Sequence, residues 1–120
     1  MNTPIFDVND GLNEEFCLSI YDNSYDFYVS VLKAFYKESL ETVPKMEKAL
    51  SEKEYEEYRI IVHGLKGSGG AIGDDKLLNM ATESNALIKA GNIEEGIAFH
   101  DGIISELKRI QDLIERKVLS

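Results

Sequence analysis

The chain has 120 residues, 43% of them hydrophobic and 29% charged, with 9 Gly, 2 Pro, 1 Cys and no Trp, a profile that excludes disorder, collagen and a disulfide scaffold. A chain of this size buries about two-thirds of the surface its unfolded form exposes, enough for one core and too little for two, so residues 1–120 are expected to form a single domain. Its 13 Lys and Arg against 22 Asp and Glu leave a net charge of −9, which repels phosphate backbones and anionic lipid and argues against nucleic-acid and membrane partners.

Apolar residues recur at three- and four-residue steps almost throughout, and no stretch alternates long enough for a sheet, so the fold class is all-α. Asp7 is placed to cap a short first helix from Val8 to about Ser19, with Val8, Leu12, Phe16 and Ile20 as its apolar stripe. Asp22-Asn23-Ser24 reads as a turn. A run of about 27 residues follows, with Tyr28, Leu32, Phe35, Val43, Met46 and Leu50 at helical spacing, and would span roughly 40 Å. Pro44 inside it removes one backbone donor and predicts a kink near Leu40 to Thr42 rather than a break. Ser51 and Glu54 have the spacing of a capping box ahead of a third helix that carries Tyr58, Ile61, Leu65 and Ile72. A fourth starts at Asp74-Asp75, shows Leu77, Leu78, Ala81, Asn85 and Ile88 on one side, and stops at Gly91. Asn92 and Glu95 make a second box, and the last helix repeats apolar residues from Ile93 to near Lys117. Short connections force sequence neighbours to run antiparallel. The expected architecture is an antiparallel up-down-up-down four-helix bundle with a short extra N-terminal helix.

One segment breaks local rules. From His63 to Gly73 the helical stripe continues, yet glycines occupy positions 64, 67, 69 and 70. Interior helix glycines cost about 0.8–1 kcal/mol each relative to Ala, or on the order of 3–4 kcal/mol together, and a violation that large points to a site. At about 100° per residue, Tyr58, Ile61, Leu65, Gly69 and Ile72 share the core side, whereas Glu56, Arg59, His63, Lys66, Gly67 and Gly70 share the other. His63 is thus expected to face water, beside a surface reduced to backbone, with Lys66 able to lean toward an anion on the ring. Two phosphate-binding motifs fail on spacing. A phosphate-cradling loop needs Lys directly after Gly, and Lys66 follows Leu65. A dinucleotide fingerprint from Gly67 needs Gly or Ala where Ile72 stands.

The residues His63, Leu65, Lys66, Gly67, Ser68, Ile72 and Gly73 stand in register with the pattern H-x-[LI]-K-G-[SA], three variable residues, an apolar residue and Gly. In this the chain resembles the histidine-containing phosphotransfer (HPt) domains of two-component phosphorelays, and the resemblance extends over nearly its whole length, from Gly11-Leu12 to the helix ending at Gly91. It implies a four-helix bundle in which His63 is the phosphoacceptor, Lys66 meets the phosphoryl oxygens, Gly67 leaves room for the group and its partner, and Ser68 supports the site. Family members place Gln or Glu on the following helix to bond the other ring nitrogen. Counting along gives Asn85, a shorter side chain, with Glu83 as the nearby alternative. The partners implied are response-regulator receiver domains and a hybrid sensor histidine kinase. The chain is then a relay intermediate and not an ATP-using kinase.

That chemistry suits the residues. A neutral imidazole offers a free nitrogen at pH 7 that attacks phosphorus without a dedicated base. No metal cluster is apparent, Asp74-Asp75 reading as a helix start, and no cofactor is expected on this chain, so Mg²⁺ is assigned to the partner receiver. His100 reads as a surface residue of the last helix. Cys17, between Phe16 and Leu18, reads as a small buried thiol. Tyr25, Phe27, Tyr28, Phe35 and Tyr36 are mostly core by spacing, and those that point outward are candidates, with Leu12 and Phe16, for an apolar patch that docks the receiver. With no leader pattern and no run near the ~18 apolar residues of a membrane span, a free-standing cytoplasmic monomer is expected. The alternative function is a helical adaptor that binds a receiver or kinase through the same surface without phosphotransfer.

Overall fold

The computed structural model describes residues 3–120 and is helical throughout, with no strand among those residues. After a 3₁₀ turn at Val8–Asp10 come α1 (Glu14–Ile20), α2 (Tyr25–Ser51), α3 (Tyr55–Ile72), α4 (Asp75–Lys89), α5 (Ile93–Ile97) and α6 (His100–Ile114), and a single π-helical turn, Glu115–Leu119, extends the last. α2 packs on α3 and α6, and α4 packs on α3, α5 and α6, which closes the expected antiparallel bundle. Its long dimension is 49 Å. α1 lies against α2 and α3 as the extra N-terminal helix.

The 27-residue α2 forms because Ser24 accepts the Phe27 amide at its start and its inward stripe, from Tyr28 and Leu32 to Met46 and Ala49, is buried. It runs unbroken through Pro44, as anticipated. Facing it in the core are Tyr58, Val62, Leu65 and Ile72 of α3, Leu77 and Ala81 of α4, and Ile103, Leu107 and Ile110 of α6.

Four features of the helix boundaries differ from expectation. The first helix does not run from Val8: Asp7 does cap Val8–Asp10, but Gly11 turns the chain in the left-handed region (φ 75°) and Asn13 starts a new helix by accepting the Phe16 amide. Its face is rotated too. Of the four stripe residues only Leu12 is buried, while Glu14 and Cys17 turn inward, because the Asn13 amide donates to the Gly73 carbonyl (2.9 Å) and fixes α1 on the α3–α4 turn. The Ser51–Glu54 box does not form. Ser51 belongs to α2 and donates its hydroxyl to the Lys48 carbonyl, and the chain reverses through Lys53 at φ 58°. Asn92 likewise precedes α5 without a side-chain cap. Nor is the last helix continuous, since it is offset at Ala98–Phe99 between α5 and α6. Gly96 lies so close to α4 that an added Cβ would come within 2.4 Å of Ile88, and Ser84 donates to the Gly96 carbonyl at 2.8 Å. This contact draws α5 onto α4 ahead of α6.

Two acidic clusters tie the ends together. Buried Glu14 accepts the amides of Ile5 and Phe6 (2.9–3.1 Å) and the Tyr25 hydroxyl (2.9 Å), which anchors the N-terminal segment. At the α4–α6 contact Asp74 caps Leu77 with Oδ1 while Oδ2 is buried without a donor. Burial, and then the neighbouring Glu106, push its carboxyl up to about 7. Glu106 itself is held low: burial opposes this, but Arg109 forks onto both its oxygens at 2.9 and 2.8 Å.

Candidate functional site

His63 sits in the middle of α3 on the face turned from the core, and its ring is exposed. Among the described residues it has no hydrogen-bond partner. Gly67 is exposed one turn on and Gly70 half-exposed two turns on, and an added Cβ at Gly64, Gly67 or Gly70 would meet nothing within 4 Å. Packing therefore does not require these three glycines. Gly69 is different, because its Cβ would lie 3.3 Å from Leu77 and from the Leu78 amide, so it lets α3 and α4 approach. Gly73 ends α3 in the left-handed region (φ 84°), where a Cβ would strike the Asn13 backbone at 2.9 Å.

Lys66 is half-buried on the α4 side of the same face and, among the described residues, is in no ion pair. Along α3, Arg59 stands one turn before His63 and Lys66 one turn after it on the same face. Ser68 is half-buried on the opposite flank, where its hydroxyl donates to the Gly64 carbonyl at 3.1 Å and the side chain borders a groove between α2 and α3. That groove, about 390 Å³, is also lined by Glu38, Glu41, Lys45 and Ile60, the last 58% exposed. A hollow of about 410 Å³ against α1, lined by Phe6, Leu12 and Tyr25, includes none of the site residues.

The structure thus brings His63, Lys66 and Gly67 together and sets Ser68 and Asn85 at the flanks. Asn85, buried on α4, uses its side-chain oxygen to accept from Arg59 Nη1 (3.1 Å) and makes no bond to the His63 ring, and Glu83 is exposed. Arg59 is the residue whose part the sequence reading missed. It stands four positions before His63 on the same face, and its Nε and Nη2 also fork onto Glu56 at 3.0 and 2.6 Å. The signal was its position on the site face; what hid it was the choice of α4 as the source of a ring partner.

The remaining candidates resolve as follows. His100 is not a free surface residue: its ring is half-buried, Nδ1 pairs with the Tyr58 hydroxyl at 3.0 Å, and burial lowers its pKa. Cys17 is fully buried, which raises its thiol pKa, with Sγ 3.5 Å from the Ala71 carbonyl. Leu12 is buried at 8% exposure and only lines the hollow against α1, whereas Phe16, Ile20 and Phe27 are more than half exposed. Tyr28 and Phe35 are core, and Tyr25 and Tyr36 are half-buried. Among the described residues no three His, Cys, Asp or Glu side chains gather as metal ligands, and no helix is long and apolar enough to cross a membrane.

The structure is thus a four-helix bundle that presents an exposed histidine beside a lysine and a glycine-cleared face. The model of the Hpt domain family matches residues 30–116, and the chain belongs to that family. No curated protein and no solved structure matches it. Hpt domains are phosphotransfer modules of two-component phosphorelays, where they interact with receiver domains and kinases and are not themselves kinases. The matched span begins within α2, so α1 and the N-terminal segment lie outside it.

Proposed function

We propose that the chain is a relay intermediate that accepts a phosphoryl group on His63 from the aspartate of one receiver domain, or from a hybrid sensor histidine kinase relay, and passes it to the aspartate of another. The observation that carries this reading is the exposed His63 on a face where Gly64, Gly67 and Gly70 bear no packing load. In the forward step the lone pair of a neutral ring nitrogen forms the N–P bond as the aspartyl O–P bond breaks, and that electron pair leaves with the carboxylate. The other ring nitrogen keeps its hydrogen, so no general base is needed. Lys66 neutralises the phosphoryl oxygens, Gly67 leaves room for the partner's loop, and Ser68 braces the helix behind them. Mg²⁺ and the acidic pocket belong to the receiver. Exposed Ile60 on α3, and exposed Phe16 and Ile20 on α1, provide apolar contacts for it. The chain acts as a cytoplasmic monomer and draws no phosphate from ATP itself.

The test is intact-mass detection of phosphate after mixing the protein with receiver domains charged by a small phosphodonor and Mg²⁺. Wild type and His100→Gln are expected to carry one acid-labile phosphate and His63→Gln none. Labelled His63→Gln would refute the site. Unlabelled wild type with every receiver of the same genome would leave the adaptor reading, and a stable dimer by light scattering would overturn the monomer.

A further inference from the structure

Arg59 and Asn85 form a contact that the reading of His63 leaves unused. The guanidinium holds two partners of different character: Asn85, buried at 7% exposure, through Nη1, and Glu56 through Nε and Nη2. The side chain of Arg59 is 19% exposed and that of Glu56 71%. One partner is thus an anchor in the α3–α4 contact, and the other is a solvated carboxylate whose pairing is worth little in water.

Position does the rest. Arg59 stands four residues before His63 and Lys66 three residues after it on the same face of α3, so the two cationic residues bracket the His63 position along the helix. A phosphoryl group on that ring carries nearly two negative charges and three acceptor oxygens, more than one lysine satisfies. It is a stronger acceptor for a planar fork than an exposed Glu.

We propose, resting on the reading of His63 as the phosphoacceptor, that Arg59 is a second phosphoryl-binding cation: on phosphorylation its guanidinium keeps Asn85 and exchanges Glu56 for the phosphoryl oxygens. Asn85 then acts as a positioning residue that aims Arg59, and Glu56 as a competitor that occupies the fork until the phosphate arrives.

Phosphoramidate tests this on the intact chain with no receiver present. The imidazole lone pair forms N–P as the donor's P–N bond breaks and ammonia leaves, so the balance needs no other reactant. The readout is the ³¹P titration midpoint of the adduct, which a neighbouring cation lowers. Arg59→Gln is expected to raise the midpoint by roughly half a unit or more, with the helical circular dichroism of the folded chain retained. Glu56→Gln is expected to lower it in wild type but not in the Arg59→Gln background, because it acts by releasing Arg59. An unchanged midpoint in Arg59→Gln overturns the proposal, and so does a Glu56→Gln shift that is equal in both backgrounds. No adduct on wild type would instead overturn the reading of His63 itself.

Discussion

Replacing the α3 glycines one at a time by alanine separates those that serve the site from those that serve the fold. At Gly64, Gly67 and Gly70 the new Cβ meets nothing within 4 Å, so only helix propensity changes, and each variant is expected to gain about 0.8–1 kcal/mol. At about 2.1 cal/mol/K per residue, the unfolding entropy of 120 residues is roughly 0.25 kcal/mol/K, so each gain raises Tm by about 4 °C and the triple variant by about 10 °C. At Gly69 the Cβ lies 3.3 Å from the Leu78 backbone, which cannot turn aside, and the gain is replaced by an overpacking loss of about 1 kcal/mol. At Gly73 left-handed geometry and the Asn13 backbone at 2.9 Å combine to cost at least about 2 kcal/mol. Phosphotransfer should move the other way: Gly67→Ala places a methyl beside the phosphoryl position and is expected to slow transfer from a receiver roughly ten- to a hundredfold. Calorimetric melts beside single-turnover transfer assays give both quantities. If Gly64→Ala, Gly67→Ala and Gly70→Ala melt below wild type, or if Gly67→Ala transfers at the wild-type rate, the argument that function cleared this face fails.

Lys66→Ala is expected to slow phosphotransfer about tenfold while Tm stays within about 2 °C, because Lys66 is in no ion pair among the described residues; an equal loss of stability would assign it to the fold. Glu14→Ala strands the amides of Ile5 and Phe6 and the Tyr25 hydroxyl, a cost of about 2–3 kcal/mol in urea titrations, with faster proteolysis near Ile5; an unchanged midpoint would refute the anchor. Asp74 has the raised folded-state value, about 7, so its contribution to stability is full in acid and is lost as pH climbs toward 7, by at most about 4 kcal/mol at 1.36 kcal/mol per unit. Glu106, held low, has the opposite sign and loses its contribution only in acid. Stability should therefore fall from about pH 5 to pH 7 and then level off. Asp74→Asn, which can keep the Leu77 cap and removes the titrating group, should remove that slope, and parallel pH profiles for variant and wild type would count against Asp74 as its source.

Much of this protein is local and was therefore legible. Helical spacing located α2, α3 and α4, because burying one stripe of a 3.6-residue period is what forms them, and the same geometry placed His63, Lys66 and Gly67 on one outer face before any fold was known. The glycine excess marked the site, since local propensity opposed it and no local term compensated. What the chain order alone left undecided depends on contacts between distant residues. Whether a glycine is there for packing or for access is settled by α4, which crowds Gly69 and leaves Gly64, Gly67 and Gly70 open. The face that α1 buries follows from Asn13 bonding Gly73, 60 residues away by their numbers, and the offset between α5 and α6 follows from Gly96 docking on Ile88. Arg59 belongs to the same class: its place on the face was readable, but its hold on Asn85 exists only because α4 folds back along α3. Periodicity fixes which way a side chain points, and only tertiary packing decides what it meets there.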